Sequence, residues 1–157
     1  MTRLSQALGA KFSTAIQEIR TRTFTLGKHE FKVRIPLNAE MDALLKRISE
    51  VDQAEVDKRL KKMTEALRAN PPEGVVISED GDVVVDGRST RETVNAVLML
   101  ENRVVEYMKL LVTEDGMLDD ITYEEVDAEL PFASQLDLID AITEAIQPGY
   151  KDSRKNS

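Results

Sequence analysis

Between Thr21 and Pro36 the chain alternates apolar and polar residues twice about a two-residue break, a pattern that restricts it to a β-hairpin. Phe24 and Leu26 share one face of the first run, and Phe31, Val33 and Ile35 share one face of the second. Gly27-Lys28 lies between them, and glycine in the first position suits a type II′ turn. That register sets Phe24 opposite Phe31 as a cross-strand aromatic pair. Pro36 closes the strand because it has no N–H to donate to a ladder. A second hairpin is predicted where Val75, Val76 and Ile77 face Val83, Val84 and Val85 across Glu79-Asp80-Gly81-Asp82.

Everything else reads as helix. Leu4, Leu8, Phe12, Ile16 and Ile19 recur at helical spacing and make residues 1–20 a basic amphipathic helix. Met41, Leu44, Leu45 and Ile48 follow after Asn38 as N-cap. Val56, Leu60, Met63 and Leu67 continue nearly in phase, so one long bent helix and two helices parted at Asp52 both fit. Asp52 with Glu55 resembles a capping box, and Ser89 with Glu92 and Thr122 with Glu125 match it. The longest helix is expected from about Thr90 to Val112, with Val94, Val97, Leu98, Val104, Val105, Met108, Leu111 and Val112 on a wide apolar face. A short acidic helix after Thr122 breaks at Leu130-Pro131, and Phe132, Leu136, Ile139, Ile142 and Ile146 line the last one. The expectation is a mainly helical α+β domain with two β-hairpins: the helix over 1–20, a body over 21–150, and a polar, disordered tail over 151–157.

With 157 residues such a body buries enough apolar surface to fold without a staple. The chain has no cysteine, which removes disulfides, thiol nucleophiles and Cys-ligated metals. Its single histidine, His29, beside the first turn, has no second His or Cys with which to share a metal. Ser78, Asp80 and Asp82 alternate like a calcium loop, but Val83 stands where the loop needs glycine, so a solvated turn is the better reading. Gly74, Gly81 and Gly87 are isolated and make no phosphate loop. No run approaches the roughly 20 apolar residues of a membrane span. An enzyme, a cofactor and a membrane partner are therefore not expected.

Charge is the more informative signal. The net charge is −8, yet residues 1–35 carry seven Lys or Arg against Glu18 and Glu30, while residues 114–147 carry eleven Asp or Glu and no Lys or Arg. Overall acidity argues against nucleic-acid binding. The asymmetry fits a partner-facing surface, head-to-tail self-association, or simply two solvated faces. Partner-binding candidates are Asp119, Asp120, Glu124 and Glu125 in the acidic block and Leu4, Leu8 and Phe12 in the first helix. That helix can dock on its own domain, bind a partner or a membrane surface, or act as a transit peptide, for which Ser and Arg are too sparse.

The run Phe24-Thr25-Leu26-Gly27-Lys28-His29-Glu30-Phe31-Lys32-Val33-Arg34-Ile35-Pro36, with the helix carrying Met41 and Leu44, resembles the opening of tail assembly chaperones from long-tailed bacteriophages. Val84-Val85-Asp86-Gly87-Arg88-Ser89-Thr90-Arg91-Glu92 and Ile146-Gln147-Pro148-Gly149-Tyr150-Lys151-Asp152 are similar to that family too. The resemblance implies a non-enzymatic protein of the host cytoplasm, absent from the virion. It would bind the helical tape measure protein and help tail tube protein polymerise around it. It also implies a longer product made by frameshifting, and Arg154-Lys155-Asn156 can be encoded through the slippery heptamer A AAA AAC. Adaptable Met63, Met99, Met108 and Met117 suit a chaperone of helices but would be equally ordinary in a core. A structural virion protein whose hairpins augment neighbouring sheets is the main alternative. A regulatory adaptor or nucleic-acid mimic using the block from Glu114 to Glu144 is the third.

Overall fold

A computed structural model describes residues 2–116 and 118–148. The chain is a mainly helical α+β protein with two small antiparallel sheets. It packs as two compact units, one formed by residues up to Ala43 together with those from Val104 onward, the other by Leu44–Arg103. The tail expected to be disordered over 151–157 lies outside the described residues.

In the first unit, β1 (Thr21–Leu26) and β2 (His29–Arg34) form the expected hairpin, with Phe24 opposite Phe31 and Leu26 opposite His29. The two phenyl rings stack with centroids 5.2 Å apart, and His29 sits edge-on to Phe31 at 4.6 Å. The turn differs from the expectation. Gly27 and Lys28 both have positive φ, 57° and 66°, which makes it type I′ rather than II′. The I′ turn matches the right-handed strand twist, and it holds a lysine in the left-handed region at a cost of roughly 1 kcal/mol. Lys28→Gly should therefore raise stability by about 0.5 to 1 kcal/mol, read from the urea midpoint at unchanged m-value.

The longest helix, α5 (Thr90–Met108), stops short of the expected Val112. Leu110 to Val112 instead runs beside β2: Arg34 N–H donates to the Leu110 carbonyl at 2.9 Å, and Val112 N–H donates to the Lys32 carbonyl at 2.8 Å. Open donors and acceptors on β2 outcompete one more helical turn. Beyond it come α6 (Tyr123–Glu129) and α7 (Phe132–Ile146), the latter packed on β1 and β2. Thr122 and Glu125 complete the predicted capping box in both directions. Val33, Val104, Tyr107, Met108, Leu110, Val126, Leu138, Ile139 and Ile142 are buried in this unit.

The second unit resolves the one-helix-or-two question in favour of two. α3 (Asn38–Ser49) and α4 (Gln53–Ala69) part at Asp52, whose carboxylate accepts from Ala54 N–H at 3.0 Å. Glu55 does not close the box; it pairs with Arg59 at 3.1 Å. Arg59 also forks onto Glu101 of α5, with Nη2 2.8 Å from Oε1, and these carboxylates hold its guanidinium firmly protonated. The second hairpin forms in the expected register between β3 (Val75–Ile77) and β4 (Val83–Val85). A third strand, β5 (Arg88–Ser89), was not expected; it returns along β4 through Asp86-Gly87, both at positive φ. Leu44, Ile48, Val56, Leu60, Val83, Val94 and Leu98 are this unit's buried apolar residues.

Candidate partner-binding surfaces

The predicted first helix is two: α1 (Arg3–Leu8) and α2 (Ala10–Ile19), parted at Gly9, whose φ of 85° is left-handed. Apolar periodicity continues through the glycine, but the helical hydrogen bonding does not. Thr2 caps α1 by accepting from Ser5 N–H at 3.3 Å. Neither helix has a buried residue. Leu4 and Leu8, one turn apart on α1, are 60% and 55% exposed, and Ile19 is 58% exposed. Phe12 and Ile16 are half-buried. Burying a leucine fully gains about 1.5 to 3 kcal/mol, a gain this arm leaves largely unused.

Its root, by contrast, is clamped. Glu40 in the first turn of α3 accepts from Arg20 at 2.9 Å and also from Arg34. Burial raises the Glu40 pKa, but hydrogen bonds and charge from Arg34 and Arg20 outweigh it and hold the carboxyl below its ordinary value. Arg3 and Lys11 on the arm, and Arg22, Lys28 and Lys32 on the hairpin, are exposed with no ion pair among the described residues.

The acidic block runs from the segment before α6 through that helix and into α7, whose first turn carries no acid. Asp119, Asp120, Glu124, Glu129 and Asp137 are exposed and likewise unpaired among the described residues. Glu125 is exposed but occupied: its Oε2 accepts from the Thr122 N–H at 2.8 Å. Reversing its charge would therefore damage α6 as well as any partner contact. Glu125→Lys should cost about 1 kcal/mol in thermal unfolding, whereas Glu124→Lys should change little. Phe132, at the start of α7, is 51% exposed. Of the four adaptable methionines, Met63 and Met99 are exposed, Met108 is core, and Met117 lies outside the described residues.

The group that most resembles a functional carboxylate is one that the sequence reading placed in a solvated turn. Asp82 is only 8% exposed. Its Oδ1 accepts from Val83 N–H at 2.8 Å and Arg91 N–H at 3.0 Å, and its Oδ2 from the Ser89 hydroxyl. Burial raises its pKa; the Ser89, Arg91 and Val83 hydrogen bonds prevail and lower it. A general base needs access and a lone pair to spare. Asp82 spends its acceptors on the first turn of α5, beside Ser89, which accepts from Glu92 N–H at 3.2 Å. It is a tertiary helix cap: besides the adjacent Val83 amide, its donors come from residues seven and nine positions away, beyond the reach of local turn patterns. His29 is exposed. Among the described residues no three metal-ligating side chains converge, and no helix is long and apolar enough to cross a membrane.

No family model matches the chain, and neither a curated protein nor a solved structure does.

Proposed function

We propose that this chain is a non-enzymatic tail assembly chaperone that binds a long helical tape measure protein in the infected cell and assists assembly of the tail tube around it. The observation that carries the reading is the arm of α1 and α2: an apolar surface without a buried residue, presented by a strongly acidic chain. An amphipathic client helix could lay its stripe on Leu4, Leu8 and Phe12, while the net charge keeps the complex dispersed. The residues from Phe24 to Pro36 and from Val84 to Glu92 add the resemblance. Such a chaperone would act in the bacterial cytoplasm without a cofactor, leave before the virion is complete, and have a frameshifted longer form.

Coexpression with a tape measure protein tests the reading. The partner's soluble fraction should rise several-fold with the chain present and fall back with Leu4→Asp/Leu8→Asp. An unchanged soluble fraction with the unaltered chain would refute it.

The alternative, a structural virion protein, is favoured by a different observation. β1 and β3 are outer strands of their sheets, and Val76 on β3 is 62% exposed. An open edge of this kind can accept a neighbouring strand. Purified particles separate the two, since the virion protein is retained in them and the chaperone is not.

A further inference from the structure

We infer that the open edge of β3 takes an extended strand from a partner protein, apolar at its centre and basic at both ends. The inference does not rest on the chaperone reading, whose arm lies in the other unit, and it holds equally for a chaperone and for a virion protein. It starts from backbone groups that the fold leaves unpaired.

The register of the β3–β4 hairpin decides which groups these are. Ser78 N–H donates to the Asp82 carbonyl at 2.9 Å, and Asp86 N–H donates to the Gly74 carbonyl at 3.0 Å. Bonded and non-bonded pairs alternate along an antiparallel ladder, so Val76 bonds with Val84, while the backbone groups of Val75 and Ile77 point away from β4. The Val75 N–H turns back to the Pro72 carbonyl at 3.2 Å. The Val75 carbonyl and both backbone groups of Ile77 have no partner among the described residues. An N–H beside two carbonyls is the complement of another extended backbone. A helix cannot supply that complement, because it spends its own N–H and C=O groups internally.

The side chains say what the incoming strand carries. Val76, on one face of the sheet, is 62% exposed, and Ile77, on the other, is 41% exposed. β-branched residues at the centre of the added strand would cover both. Glu73 and Glu79 stand exposed just before and just after β3, with no ion pair among the described residues. They favour Lys or Arg at the two ends of the added strand. They also disfavour a second copy: β3 paired antiparallel with itself through Val75 and Ile77 sets Glu73 of one copy opposite Glu79 of the other, and like charges across a strand pair are destabilising. A three-residue edge offers few hydrogen bonds, so the end charges decide which strands it holds.

Fluorescence anisotropy reads the binding, with the full chain titrated into a short labelled peptide of alternating Val and Thr that carries Lys at both ends. At about 50 mM salt this peptide should bind about tenfold more tightly than its counterpart with Glu at both ends, and the preference should shrink at about 500 mM as screening shortens the field. N-methylation of its central amides should abolish binding. Ile77→Pro removes the outward N–H, which is not part of the β3–β4 ladder, and should weaken binding about tenfold with the circular dichroism spectrum unchanged. Glu73→Lys/Glu79→Lys changes two exposed positions and should turn the preference toward the Glu-ended peptide. No binding of the Lys-ended peptide, equal binding after N-methylation, or a preference indifferent to the double variant would overturn the inference. So would association of the chain with itself that Ile77→Pro removes, since a second copy would then be what occupies the edge.

Discussion

Asp82→Ala should lower the unfolding free energy by about 3 kcal/mol, a large fraction of the total for a chain of this size. The substitution removes one carboxylate and strands three donors: the Val83 and Arg91 amides and the Ser89 hydroxyl. A buried donor left unpaired costs about 1 to 3 kcal/mol, and hydrogen bonds to a charged acceptor are the stronger kind. The carboxylate also sits at the positive end of the α5 dipole, where a negative charge is favoured. Asp82→Asn keeps one acceptor oxygen for the two amides and should cost about half as much. pH supplies a second signature. The folded pKa of Asp82 is lowered, so its contribution is complete above the unfolded value of about 3.9 and is lost as pH falls through the folded value. Urea midpoints from pH 7 to pH 2.5 should therefore converge for the unaltered chain and Asp82→Asn. A constant gap over that range would mean that the carboxylate's charge is irrelevant.

Gln135→Ala should be comparably damaging, at about 3 kcal/mol. Gln135 is 1% exposed and joins α6 to α7 through three hydrogen bonds. Its Oε1 accepts from the Tyr123 hydroxyl at 3.0 Å; its Nε2 donates to the Leu130 carbonyl at 2.8 Å and to Asp127 at 3.3 Å. Truncation leaves a cavity and removes the buried donor to the break between the helices. Gln135→Leu restores most of the volume but not the hydrogen bonds, and should cost about 1 to 2 kcal/mol. If Leu is tolerated as well as Gln, packing alone holds this corner. Thermal unfolding ranks the three chains.

Which of these features could be seen in the sequence follows from how local their causes are. The Phe24–Phe31 pair was legible because alternation and a two-residue connection leave one register. The turn type was not, because Gly27 permits either form and only the conformation of Lys28 distinguishes them. β5 escaped although Asp86-Gly87 is the same dipeptide that signalled the preceding turn; a two-residue strand has no periodicity to read. Leu110 to Val112 fits the apolar face of α5 as well as it fits a strand, and pairing with β2, some eighty residues earlier, decides between them. The break at Gly9 is hidden in the sequence because the stripe from Leu4 to Ile19 continues through it. Among the site candidates, Leu4 and Leu8 are exposed, which their helical spacing alone does not reveal. The capping role of Glu125 is legible in Thr122-x-x-Glu125 and separates it from Asp119, Asp120 and Glu124.

The central claim is that the arm is the surface by which this chain engages a partner. Amide hydrogen exchange of the full chain, alone and saturated with a soluble tape measure segment, measures this most directly. The expected result is strong added protection over residues 3–19, with the buried cores around Val33 and Val94 unchanged. Binding that leaves those residues exchanging at their free rate, with protection elsewhere, would contradict the account.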